Sequence, residues 1–151
     1  MIGGRPTPMD VLLVEDNPGD VRLTLEAFRE TNGAVVLHVA SDGVEALAFL
    51  RREGHHAAAP RPDFILLDLN LPRMDGREAL MHIKEDPDLR TIPTVILTTS
   101  ESGADVQRSY ELNANAYLKK PVTLAAFESL VRSINDFWLT KVMLPQQRST
   151  S

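Results

Sequence analysis

Apolar and β-branched residues cluster into five short runs along the chain: Asp10–Val14, Val35–Ala40, one beginning at Phe64, Thr94–Thr98 and Ala116–Lys119. Val11-Leu12-Leu13-Val14 and Phe64-Ile65-Leu66-Leu67 show no polar alternation, which suits strands buried on both faces of a parallel sheet. Stretches with helical spacing lie between the runs. The first extends from Pro18 to about Thr31 with Val21, Leu25 and Phe28 on one face; Asn17-Pro18 starts it and Asn32-Gly33 ends it. Ser41-Asp42-Gly43 opens a second, carrying Val44, Leu47, Ala48 and Leu50 inward. A third carries Ala79, Leu80 and Ile83 and stops near Pro87, a fourth spans Ala104–Leu112, and a fifth runs on from Thr123. The longest clear loop is Gly54–Pro62. Strands and helices in strict alternation predict a doubly wound α/β sandwich, a flavodoxin-like (βα)5 fold with a five-stranded parallel sheet of order 2-1-3-4-5.

That order makes the first and third strands neighbours. Their carboxyl ends run into Glu15-Asp16 and Asp68, in the crevice where open α/β sheets bind ligands. Three crowded carboxylates disfavour one another's ionisation and call for a cation. A few hard oxygen ligands suit Mg²⁺, which keeps several waters and shares a phosphoryl group. The fourth run ends in Thr98, a hydroxyl donor, and the fifth in Lys119-Lys120-Pro121, where an ammonium could pair with Asp68 or with a phosphoryl oxygen. A carboxylate nucleophile, a dication, a hydroxyl and a lysine make up a phosphoryl-transfer kit, with aspartate able to pass through an aspartyl-phosphate.

Composition narrows the partners. A chain of 151 residues with 43% hydrophobic and 25% charged residues suits one soluble domain with a sizeable core. The division is a flexible leader at 1–8, with Met9 a possible alternative start, a domain at 9–144 and a polar tail at 145–151. A net charge of −5 excludes the basic footprint of nucleic-acid or anionic-membrane binding. The absence of cysteine excludes disulfides, thiolate metal sites and thiol catalysis. No apolar run can span a bilayer and no signal sequence opens the chain, so a cytoplasmic protein is expected.

Glu15-Asp16, Asp68, Thr98 and Lys120-Pro121, in that order at successive strand ends, resemble the motifs of the receiver domain of two-component response regulators, over roughly Asp10 to Trp138. The resemblance implies that Asp68 is the phosphoacceptor and that Glu15, Asp16, Asp68 and the Asn70 backbone carbonyl hold Mg²⁺. It selects Lys120 over Lys119 as the inward lysine, implies a cis peptide bond before Pro121, and makes Thr98 and Tyr117 a switch pair. Thr99 and Ser100 resemble positions that set access to the phosphoryl group. Asp16-Asn17-Pro18-Gly19-Asp20, Leu69-Asn70-Leu71-Pro72, Leu97-Thr98-Thr99-Ser100 and Phe137-Trp138-Leu139 are further similar to the small stand-alone receivers partnered with bacterial phytochromes. The implied function is that of a stand-alone signalling switch rather than an enzyme: Asp68 accepts phosphate from a sensor histidine kinase, a bacteriophytochrome by this likeness.

Several features have plainer or competing readings. An aspartate-nucleophile phosphatase would want a second acid two residues past Asp68, where Asn70 stands. A receiver-like interaction module that no longer takes phosphate would lack the acceptor, the acidic pair or the lysine. A nucleotide site would want a Gly-rich loop after Val14, and none follows. His55 and His56 are adjacent, so their side chains are expected to diverge without a metal; His38 and His82 belong on partly exposed faces. Gly76 is expected to serve a turn at positive φ. In the last helix Phe127, Val131, Ile134 and Trp138 form a core stripe, while Leu130, Phe137, Leu139 and Val142, with Met143 and Leu144, add apolar area. That surplus predicts a homodimer through the last helices and fifth strand, with Leu130, Phe137, Trp138, Leu139 and Val142 at its interface.

Overall fold

The computed structural model describes residues 8–29, 35–100, 102–134 and 136. Its elements alternate as expected: β1 (Met9–Val14), α1 (Pro18–Phe28), β2 (Val35–Ala40), α2 (Gly43–Arg51), β3 (Phe64–Leu67), α3 (Gly76–Glu85), β4 (Thr94–Thr98), α4 (Gly103–Glu111), β5 (Ala116–Lys119) and α5 (Leu124–Ile134). A single 3-10 turn, Gly54–His56, sits inside the long loop. The five strands pair in parallel in the order β2-β1-β3-β4-β5, which is the flavodoxin-like arrangement.

The period-two geometry of strands divides the core into two layers. Val11, Leu13, Phe64, Leu66, Val95 and Leu97 point to one face and pack against Ala27 and Phe28 of α1 and Phe127, Val131 and Ile134 of α5. Leu12, Val14, Ile65, Leu67 and Ile96 point to the other, against Ala46, Leu47, Phe49 and Leu50 of α2 and Leu80 and Ile83 of α3. Burying each such aliphatic or aromatic side chain contributes about 1.5–3 kcal/mol before conformational entropy is set against it.

Two helix faces differ from the expected stripes. Leu25 and Val44 are exposed, while Thr24 of α1 and Ala46 and Phe49 of α2 turn inward. Thr24 can be buried because its hydroxyl donates to Asp20 O at 2.7 Å within the helix. In the last helix Phe127, Val131 and Ile134 form the expected stripe, and Leu130 packs partly against it. Phe137, Trp138, Leu139 and Val142 lie outside the described residues, as do the Asn32-Gly33 helix end, residues 1–7 of the leader and the polar tail.

The Asp68–Gly76 loop departs from expectation in an instructive way. Gly76 does not take positive φ; Arg73 does, at 60°. Arg73 is held there by its Nε donating to Asp42 Oδ2 at 2.7 Å, an ion pair that offsets the strain of a left-handed side-chain-bearing residue. Gly76 is needed for space instead. A Cβ there would sit 2.1 Å from the carbonyl oxygen of Asp68 and 2.7 Å from Leu69 Cα, so the first turn of α3 presses directly on the backbone that carries Asp68. Every described peptide bond is trans. The expected cis bond before Pro121 is therefore absent, and the trans form, the lower-energy isomer of an X–Pro bond, already brings Lys120 to the strand ends.

Candidate functional site

The strand ladder continues one residue past its ends and so fixes the backbone that lines the crevice. Glu15 N–H donates to Ala40 O at 3.0 Å, Asp68 N–H to Val14 O at 3.1 Å and Lys120 N–H to Thr98 O at 2.8 Å. A crevice of about 370 Å³ opens there, lined by Glu15, Asp16, Asp68, Asn70, Thr99 and Lys120 together with the start of α1. The side chains expected from four separate strand ends are thus gathered at one place, with Thr98 the exception.

Glu15, Asp68 and Lys120 are almost wholly buried, whereas Asp16 is exposed. Lys120 Nζ donates to Glu15 Oε1 at 2.5 Å, to Asp20 Oδ2 at 2.9 Å and to Asp68 Oδ2 at 3.0 Å. Lys119 is exposed, which settles the choice that the residues alone left open. The remaining carboxylate oxygens are held by backbone: Asn17 N–H donates to Glu15 Oε2 at 3.1 Å, and Asn70 N–H to Asp68 Oδ1 at 3.2 Å. Asp68 is therefore fixed at both oxygens before any ligand arrives.

Burial alone would lower the affinity of Lys120 for its proton, but hydrogen bonds to Glu15, Asp20 and Asp68 outweigh it and hold its pKa above the ordinary lysine value. Glu15 is pushed up from the usual carboxylate range by burial and by the Asp68 charge, against the pull of Lys120 and the Asn17 N–H. One ammonium thus faces four carboxylates, Glu15, Asp16, Asp20 and Asp68, and the crevice stays strongly negative. Glu15, Asp16 and Asp68 each offer an oxygen within 4.8 Å of the others. A small hard dication fits this donor set, because the oxygens converge without filling a complete coordination shell.

Asp20 was not among the residues anticipated for the site, whereas Thr99, expected to set access to the phosphoryl group, does line the crevice. An acid in the first turn of a helix reads as complementing the helix dipole, and nothing in the spacing shows that Asp20 reaches a lysine a hundred residues away. The Asp16-to-Asp20 motif was its only signal. Thr98 is fully buried, and its Oγ1 accepts a long 3.5 Å contact from Ser100 N–H; the threonine lining the crevice is Thr99.

Tyr117 is half-buried, and its hydroxyl donates to Ser100 O at 2.8 Å. Ser100 Oγ in turn donates to Asp105 Oδ2 at 2.6 Å, and Arg77 grips both Asp105 oxygens at 2.8 and 2.7 Å. The segment between β4 and α4 is thereby tied to β5 on one side and to the start of α3 on the other.

The adjacent histidines do not diverge. Their ring centroids lie 4.0 Å apart within the 3-10 turn, close to Glu45. His38 is partly buried, with Nε2 2.9 Å from Asp10 Oδ1, and His82 is partly exposed, 3.6 Å from Glu78. No described helix is long and apolar enough to cross a membrane.

Comparison with known proteins follows the same lines. The response regulator receiver domain matches residues 11–132. The response regulator Rcp1 of Synechocystis sp. is 47% identical over 138 residues, covering 91% of this chain and 94% of its own. The solved Mn²⁺-bound form of Rcp1 has a TM-score of 0.85, with 92% of this chain and 100% of that one covered. A phosphorylated cyanobacterial phytochrome response regulator, RcpA, is 45% identical with a TM-score of 0.88 over 93% of this chain and 100% of its own. The bacteriophytochrome response regulator AtBRR is 41% identical with a TM-score of 0.74 over 93% and 100%.

Proposed function

This chain belongs to the response regulator receiver family, and on that premise we propose that it is a phosphorylation switch whose acceptor is Asp68 and whose donor is a sensor histidine kinase of the phytochrome type. The observation that carries this reading is the placement of Lys120, bonded at once to Glu15, Asp20 and Asp68 in a crevice where carboxylates outnumber it. Such an arrangement costs stability and is kept for chemistry. Relatives matched over their whole length, one of them phosphorylated and one bound to Mn²⁺, support it.

In the reaction an Asp68 carboxylate oxygen attacks phosphorus, the P–N bond of a phosphohistidine breaks, and the departing imidazole recovers its electron pair. Asn70 N–H and Lys120 hold the Asp68 carboxylate in place, so little reorganisation is needed. Lys120 then offers its charge to the arriving phosphoryl oxygens. Glu15, Asp16 and Asp68, with the Asn70 carbonyl, would hold a divalent cation, Mg²⁺ by the hardness of the donors. When bound, that cation neutralises phosphoryl charge. Thr99 stands at the mouth as a hydroxyl donor, while Thr98 and Tyr117 form the switch pair, their link to the crevice being the Ser100 backbone that both contact.

An aspartate-nucleophile phosphatase is disfavoured because Asn70, two residues beyond Asp68, cannot serve as a general acid. Self-association through the last helices and fifth strand belongs to the same reading and is supported by the exposed apolar side chains of Val122, just before α5, and Leu124, its first residue. Light scattering across protein concentrations is expected to show a dimer; a monomer mass at all concentrations contradicts it. For the acceptor, intact mass after incubation with a small phosphodonor and Mg²⁺ is expected to show one added phosphoryl group in the wild type. Asp68→Asn, or wild type in a chelator, is expected to show none. Equal labelling of wild type and Asp68→Asn would overturn the proposal.

A further inference from the structure

Away from the acidic crevice, the long loop before β3 and the first turn of α2 bring together Glu45, His55 and His56. Each offers a ligand atom within 4.8 Å of the other two. His56 Nε2 is buried without a hydrogen-bond partner and lies 4.0 Å from Glu45 Oε1. A buried imidazole nitrogen normally finds a partner, and leaving one without costs about 1–3 kcal/mol.

The surroundings hold these groups in place. Glu45 Oε2 accepts from Ser41 N–H at 3.0 Å, which orients the carboxylate and leaves Oε1 turned toward the histidine. Phe49 packs edge-on against the His56 ring, centroid to centroid 5.5 Å. Gly54, at φ +59° with open space around it, starts the 3-10 turn that carries the two imidazoles.

We propose that Glu45, His55 and His56 form a second cation site, for a transition-metal dication of the Zn²⁺ type, that clips the 54–62 loop to the start of α2. Two imidazole nitrogens and one carboxylate oxygen are the donors such an ion prefers, while Mg²⁺ and Ca²⁺ prefer all-oxygen sites. Tetrahedral bonds of about 2.1 Å put ligand atoms about 3.4 Å apart, so the His56 to Glu45 separation need close by only about 0.6 Å. Three protein ligands leave the fourth position for water, and exposed His55 lets the ion enter from solvent. The clip also bears on the crevice. The helix it grips is capped by Asp42, which holds Arg73 in the Asp68–Gly76 loop.

The test is Co²⁺ titration followed by visible absorption, with excess Mg²⁺ present to occupy the acidic crevice, and then displacement by Zn²⁺. Wild type is expected to develop the intense bands of tetrahedral Co²⁺ and to lose them to Zn²⁺. Its thermal midpoint is expected to rise by several degrees with Zn²⁺. His55→Ala, an exposed substitution that leaves the core intact, is expected to weaken binding about tenfold or more, as are Glu45→Gln and His56→Ala. Asp16→Asn, which alters only the acidic crevice, is expected to keep the bands. Unchanged Co²⁺ binding in His55→Ala, loss confined to Asp16→Asn, or no bands in the wild type would each overturn the proposal.

Discussion

Two charged clusters border the carboxyl ends of the strands, and they differ in how much water they keep. In the crevice, the Lys120, Glu15 and Asp68 side chains are 4%, 3% and 7% exposed, and the carboxylates outnumber the ammonium. On the rim, the Arg77 side chain, 31% exposed, bonds both oxygens of Asp105, 20% exposed, and both oxygens of Asp75, 49% exposed. The rim cluster is what stability and positioning ask for: planar two-point geometry and enough residual solvation to screen its surplus carboxylate charge. The crevice is the opposite. Its charges are desolvated, repel one another and are only partly compensated, a condition that a fold selected for stability alone would replace with apolar residues. Burial of unbalanced charge therefore separates a reactive site from a structural tie, even where both are built from the same residue types.

Substitutions that remove one partner from each cluster should separate them most clearly. Lys120→Met is expected to cost on the order of 3–5 kcal/mol in a chelator, because Glu15 and Asp68 are left buried without a counter-charge; added Mg²⁺ is expected to restore part of it. Urea unfolding measures both, and a loss below about 1 kcal/mol would put the crevice on a level with the rim. Gly76→Ala attacks the crevice from beneath, through the 2.1 Å approach to the Asp68 carbonyl. It is expected to cost about 1–3 kcal/mol and to slow phosphoryl uptake, since the backbone carrying Asp68 must shift.

Arg77→Met is expected to cost only about 0.5–1 kcal/mol, yet to loosen the segment that Tyr117 holds through Ser100; faster amide exchange at residues 99–105 would report it. The smallest effect concerns acid. The hydrogen bonds from Arg77 and Ser100 hold the Asp105 carboxyl below its ordinary value of 3.8. A carboxyl depressed in the folded state contributes stability that is fully present above its unfolded value and is lost as pH falls through the folded one. Wild type should thus lose stability below about pH 4 slightly more steeply than Arg77→Met, and parallel acid titrations would deny the pair any such share.

The strands were legible because uninterrupted aliphatics such as Phe64–Leu67 leave no polar face to offer to water, and their order followed from chain handedness. The chemistry at their ends was legible for the same reason: Glu15, Asp68 and Lys120 each sit immediately past a strand, and a parallel sheet aligns such positions. Helix faces were less so. A 3.6-residue period lets neighbouring stripes compete, and Thr24 is polar by composition but buried because its hydroxyl bonds within the helix. Asp20 was hidden by resembling an ordinary helix-start acid. The histidine pair was misjudged because long side chains on adjacent residues can still swing together: the ring centroids lie 4.0 Å apart although a 3-10 turn rotates successive residues by about 120°.

The central claim is that the crevice carries its unbalanced charge in order to place phosphate on one residue. The most direct measurement is to phosphorylate the protein with a phosphodonor and Mg²⁺, reduce the acyl phosphate with borohydride, and locate the product by peptide mass mapping. The account predicts homoserine at position 68 and nowhere else, dependent on Mg²⁺ and absent from Asp68→Asn. Reduction at Glu15, Asp16 or Asp20, or a wild type that gains no phosphate from any donor, would contradict it.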